Sequence, residues 1–204
     1  YYAYTPMQLP VGVLMDHYGP RRLLIFACIV CAIGSYFFAT PEHGLFAAQL
    51  GRFFVGFGSA FAFVGVLKLA TVWLPASQFA MISGLATTLG MVGAMGGDMT
   101  LPLLVKAEGW RTTVIFSALG GLVLALIIGF VMPDTAHRLG SPQKSTWSDI
   151  KTLFAGLFKL LKKRSIWING FVGCLLYLPL SAFAELWGVP YLENAHHFSA
   201  TESA

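Results

Sequence analysis

Five unbroken apolar runs dominate the chain: Leu23–Ala39, Phe46–Leu74, Phe79–Val105, Thr113–Met132 and Ile166–Val189. A helix needs about 20 apolar residues to cross ~30 Å of hydrocarbon, and each run is close to that length or beyond it. A sixth run, Tyr1–Met15, is shorter and reads as truncated at its first residue. The runs are continuous rather than alternating, which excludes a membrane β-barrel. Backbone inside lipid must satisfy its own hydrogen bonds, so each run is predicted to be helical. Polar, turn-forming breaks separate them at Asp16–Arg22, Thr40–Leu45, Pro75–Gln78, Lys106–Thr112 and, at much greater length, Pro133–Ser165.

Composition narrows the class. Hydrophobic residues make up 56% of the 204 positions, and 22 more are glycine. Charged residues are only 11%, against about 25% in soluble domains. A sphere of this size cannot hide so much apolar surface, so an ordinary soluble enzyme, a disulfide scaffold and a disordered chain are excluded. The solvent is lipid. Cys28, Cys31 and Cys174 all sit inside apolar runs. The Cys28-x-x-Cys31 spacing matches a redox pair, but apolar surroundings favour packing.

The distribution of positive charge orients the spans. Nine of the thirteen Lys and Arg residues fall on one side, at Arg21, Arg22 and the stretch from Arg138 to Arg164. Only Lys106 and Arg111 fall on the other, while Arg52 and Lys68 lie within a span. The positive-inside rule makes turns 16–22 and 133–165 cytoplasmic. Within the long loop, Ile150, Leu153, Phe154, Leu157, Phe158, Leu160 and Leu161 recur at helical spacing among lysines, with Ser148 as a candidate cap. This predicts a basic amphipathic helix on the membrane surface, although a linker that only enforces topology would carry the same charges. Basic residues form no low-complexity tract, so nucleic acid is not an expected partner.

The first cytoplasmic turn reads Gly12-Val13-Leu14-Met15-Asp16-His17-Tyr18-Gly19-Pro20-Arg21-Arg22. It resembles the signature loop G-x-L-x-D-R-x-G-R-[RK] between the second and third helices of the major facilitator superfamily. A second stretch, Arg52-Phe53-Phe54-Val55-Gly56-Phe57-Gly58-Ser59-Ala60, resembles the family's fourth-helix pattern R-x-x-x-G-x-G-x-A. Trp73-Leu74-Pro75 and Gly109-Trp110-Arg111 are similar to the end of its fourth helix and to the turn before its sixth. His17 and Pro20 depart from the loop pattern, where basic residues are usual. Gly90, Gly93, Gly96 and Gly97 occur without the Gly-Pro of the antiporter signature.

The resemblance implies an all-α integral membrane protein, a partial multi-pass helical bundle. Residues 1–132 would correspond to helices two to six, 133–165 to the cytoplasmic loop between the halves, and 166–204 to helix seven with an external loop. Both ends read as cut from something longer, and the resemblance implies a parent of about twice this length. It also assigns Gly12, Asp16, Gly19, Arg21 and Arg22 to a gating loop that latches the outward-facing state. Gly56, Gly58, Gly93 and Gly97 are the expected helix-packing positions.

Ionisable groups inside a span are costly and are usually functional or paired. Arg52 lies six residues in from Phe46, about 9 Å below the outer face, and Asp98 lies seven residues in from Val105, about 10 Å below it. Matching depth permits an inert ion pair, or a substrate or proton site in a central cavity. Lys68 is six residues from the cytoplasmic end of its span, where its stem can snorkel. Glu185, the twentieth residue of the last span, is expected near the outer interface, with a cavity role as the alternative. His196-His197 has no third ligand at site-like spacing, so no metal is expected, and no cofactor is implied.

These readings converge on secondary active transport of a small solute by alternating access, in a bacterial inner membrane. Proton-coupled symport or facilitated transport are the expected modes. The absence of a G-x-x-x-x-G-K-[ST] loop argues against direct ATP drive. The expected partners are a small-molecule substrate (an organic anion if Arg52 faces the cavity), a coupling ion such as H+, the lipid bilayer and the remaining helices of the parent. The alternatives are a non-transporting sensor or scaffold of the same fold, and an integral-membrane enzyme. The enzyme is disfavoured because no nucleophile, acid–base pair or metal cluster converges in one plane of the bilayer.

Overall fold

The computed structural model describes residues 2–40, 44–133, 156 and 159–196. Its helices, in chain order, are α1 (Tyr4–Tyr18), α2 (Pro20–Ala39), α3 (Gly44–Trp73), α4 (Phe79–Glu108), α5 (Trp110–Val131), α6 (Arg164–Pro179) and α7 (Gly188–His196). A 3₁₀ turn, Ala76–Gln78, precedes α4, and a π-helical stretch, Leu180–Trp187, joins α6 to α7. Pro179 stands at the start of that wide stretch, where its missing N–H interrupts the ordinary ladder. Five of these segments are long and apolar enough to cross a membrane: Pro20–Ala39, Gly44–Trp73, Ala76–Glu108, Trp110–Val131 and Arg164–Phe183. They coincide with the five apolar runs. Large apolar side chains face outward all round, with Phe130 88% and Leu176 77% exposed. Such a surface is stable only against lipid or further protein.

Two of the polar breaks are far shorter than the sequence pattern suggests. Asp16, His17 and Tyr18 remain helical in α1, and Pro20 already occupies the first turn of α2, so the turn contracts to Gly19. The break at 106–112 contracts in the same way to Gly109. Both glycines sit at positive φ, +80° and +82°, a region that disfavours a Cβ. Each donates its N–H to the carbonyl four residues back, Met15 and Val105 respectively. One residue therefore reverses the chain, and its N–H closes the final turn of the preceding helix. The last helix also continues further than expected, to His196. His197 and nearly all of the amphipathic stretch 148–163 before Lys159 lie outside the described residues.

Helix α2 is the centre of the packing. One face, built from Ala27, Cys31, Gly34 and Phe38, lies against α3, where Gly51 and Gly58 allow near-contact of the two backbones. A Cβ added to Gly34 would stand 2.7 Å from the Gly51 carbonyl oxygen, and one added to Gly51 would stand 2.5 Å from that of Gly34. The Cys31 thiol donates to the Val55 carbonyl at 3.6 Å across the same seam. Another face of α2, with Cys28 and Ala32, meets Gly121 of α5, which lies on a stripe with the buried Ala118 and Ala125. Small residues at intervals of three, four or seven are what allow helices to associate in lipid, where hydrophobic burial gives little drive. Toward α1 the core is larger-grained: Val11, Met15 and Phe61 are almost wholly buried with Ala27 and Ala60. Phe61 meets the rings of Phe57 and Phe26 at 5.6 and 6.2 Å.

Candidate functional site

Polar side chains gather at both ends of the bundle. At one end, Asp16 in the last turn of α1 forms an ion pair with Lys68 of α3. Lys68 is 25% exposed and Asp16 51%. The lysine lies about one and a half turns short of the end of α3, so its long stem reaches along the helix to the carboxylate. The pair borders a groove of about 280 Å³ whose walls include Gly12, Met15, Val64 and Thr71. Sequence reading placed Lys68 at the interface and missed its partner. The signal was present, because Asp16 and Lys68 fall at the same end of two spans. Arg21 turns inward and donates to the Gly129 carbonyl, tying the start of α2 to the end of α5. Its Nε is buried with no hydrogen-bond partner among the described residues. Gly12, assigned to the gating loop, has nothing within 4 Å of an added Cβ among the described residues.

At the opposite end lies Arg52, one residue after the Gly34–Gly51 contact. Its guanidinium carbon stands over the Phe38 ring, 4.5 Å from the centroid. Phe38 meets Trp110, the first residue of α5, edge-to-face at 6.0 Å. Trp110 in turn carries the Arg111 guanidinium at 5.5 Å. Arg52 and Asp98 are both exposed and form no ion pair with each other. Matching depth fixes only height along the bundle. Direction around each helix turns by about 100° per residue, and the Arg52 side chain lies along α2, whereas Asp98 belongs to α4. No residue of α4 is buried among the described residues.

The glycines expected to pack divide in two. Gly58 is locked against Ala27 and Cys31, and Gly56 would meet Ala3 at 3.5 Å, an ordinary contact. Gly93 and Gly97 touch no other helix among the described residues. Glu185 falls in the π-helical stretch, and its side chain lies outside the described residues.

A family model described as the Major Facilitator Superfamily matches residues 1–204. The chain belongs to the major facilitator superfamily. Among similar proteins is one from Cupriavidus necator named as a probable sulfoacetate transporter, SauU, which is 25% identical over 137 residues. That match covers 67% of this chain and 32% of SauU. The nitrite extrusion protein of Bacillus subtilis is 25% identical over 175 residues, covering 85% of this chain and 43% of that protein. The nitrate/nitrite transporter NrtP of Nostoc punctiforme is 28% identical over 144 residues, or 65% of this chain and 27% of NrtP. The chain thus spans well under half the length of these relatives. No solved structure matches it. Within the superfamily, this is a multi-pass membrane chain whose two polar ends fall on the motifs that first suggested the family, at Asp16–Arg22 and Arg52–Ala60.

Proposed function

We propose that the protein containing this chain is a secondary transporter that carries a small oxyanion across the membrane by alternating access, with Arg52 receiving the anion. The observation that carries this reading is the guanidinium of Arg52. It is exposed on a membrane-spanning helix, rests on a ring, and has no carboxylate partner among the described residues. An arginine held in this way offers an in-plane fork of donors suited to carboxylate, sulfonate or nitrate. The names of the relatives, which concern sulfoacetate, nitrite and nitrate, support the same class. Asp98 and Glu185 are the candidate carriers of a coupling proton. Gly12, Asp16, Gly19, Arg21 and Arg22, with Lys68 added, form the gating end. The membrane is a bacterial inner membrane, with the Gly19 turn and the loop after Met132 in the cytoplasm.

The test is a thermal-shift panel on the purified protein containing this chain, comparing sulfoacetate, nitrate, nitrite and glucarate with choline and glucose. A ligand that binds only the folded state raises its melting temperature in proportion to occupancy. Oxyanions alone are expected to stabilise. Stabilisation by choline or glucose, with none by any oxyanion, contradicts the proposal.

A further inference from the structure

The outer ends of α2, α3 and α5 hold an arrangement that the anion reading does not require. Gly51 has no room for a side chain: an added Cβ would stand 2.7 Å from the Phe38 nitrogen and 3.1 Å from its Cα. This close approach brings the next residue, Arg52, over the Phe38 ring at 4.5 Å. The ring is braced from another side by Trp110 at 6.0 Å, with the planes 63° apart. Three helices therefore converge to support one cation.

We propose that Phe38, braced by Trp110, is a positioning residue that holds the Arg52 guanidinium toward the transported oxyanion. The inference rests on the reading that Arg52 meets the substrate. A free arginine side chain samples many rotamers, and an anion must select one of them and immobilise it. A guanidinium already lying on an aromatic face has lost most of that freedom before the anion arrives. The ring also repels anions from its own face, so it steers the substrate to the edge of the guanidinium, where the N–H groups point. Phe38 thus acts on affinity without touching the anion.

Replacing the ring by leucine keeps the bulk but removes the quadrupole. Phe38→Leu is expected to raise KM about threefold to tenfold, the range of a partly exposed cation–π contact, with turnover nearly unchanged. Phe38→Tyr should restore the original KM. Because Phe38 also packs at a helix seam, the decisive series replaces it by mono-, di- and trifluorophenylalanine. Fluorine drains charge from the ring face while keeping its shape, so folding is preserved. Uptake of labelled sulfoacetate and of labelled nitrate is measured in vesicles containing the full protein, alongside Arg52→Gln. A stepwise rise in KM along the fluorine series, with Arg52→Gln inactive, supports the proposal. A flat KM across the series with Arg52→Gln inactive overturns the role of Phe38 and leaves Arg52 as the anion site. Arg52→Gln uptake equal to the unmodified protein, or no saturable uptake of either probe by that protein, overturns both.

Discussion

Helices α3 and α4 have the same length and the same number of glycines, yet their glycines differ in what they meet. In α3, Gly51, Gly58 and Gly65 recur every seven residues along one stripe and meet α2 or α1 so closely that an added Cβ would find an atom within 2.5–2.7 Å. In α4, Gly84, Gly90, Gly93 and Gly96 have nothing within 4 Å among the described residues. Gly51 and Gly58 clamp two backbones together, and Gly65 makes room for the Leu24 side chain. The glycines of α4 lie on a helix with no buried residue among the described residues. The contrast teaches that glycine in lipid has two uses, close packing and an open wall. What separates them is whether a neighbouring helix supplies small residues at the same spacing, as α2 does with Ala27 and Gly34.

The contrast breaks or sharpens under substitution. The largest effect belongs to Gly58→Leu, whose Cβ would stand 2.5 Å from the Cys31 sulfur and 2.8 Å from the Ala27 carbonyl oxygen. Overpacking against backbone should cost about 3 kcal/mol, visible as a lowered midpoint in denaturant unfolding and as loss of folded protein on size exclusion. Gly93→Leu should change the unfolding free energy by no more than about 0.5 kcal/mol, as expected for an open site. Its effect should appear in vesicle exchange, as slowed uptake. If Gly93→Leu unfolds the protein as Gly58→Leu does, the open-wall reading of α4 is wrong. The smallest effect is at the ion pair. Lys68→Met and Asp16→Asn should each cost about 0.2–1 kcal/mol, because the pair is partly solvated. The double variant should cost no more than the worse single one if they act on each other. Asp16→Asn should also slow uptake at normal expression if Asp16 belongs to the gating latch, and uptake at the unmodified rate would remove it from that role.

Legibility followed what each signal encodes. Continuous apolar runs report spans directly, so all five were readable, and the truncated-looking first run became α1. Turn lengths were overestimated at Gly19 and Gly109 because polar residues such as Asp16 and Arg111 are helical where a chain meets the membrane surface. Gly58 and Gly93 looked alike because a glycine pattern names no neighbour. The Arg52–Asp98 pairing was drawn from depth alone, and depth carries no direction around the helix. The Arg52–Phe38 contact was hidden for a related reason. A search for charges in lipid looks for opposite charges, and an aromatic face at the end of α2 is not one. Asp16–Lys68 was within reach, since both residues lie at one end of the bundle, but snorkelling explained Lys68 sufficiently by itself.

The central claim is that the positive charge of Arg52 receives the transported oxyanion. Counterflow tests it most directly, because it needs no imposed coupling gradient and reports only exchange of substrate. Vesicles containing the full protein are loaded with unlabelled sulfoacetate or nitrate, and entry of the labelled species is followed for the unmodified, Arg52→Lys and Arg52→Gln forms. The expected result is exchange by the unmodified protein, weakened exchange by Arg52→Lys, which keeps the charge without the fork, and none by Arg52→Gln. Arg52→Gln exchanging at the unmodified rate, with all three forms equally folded, would contradict it.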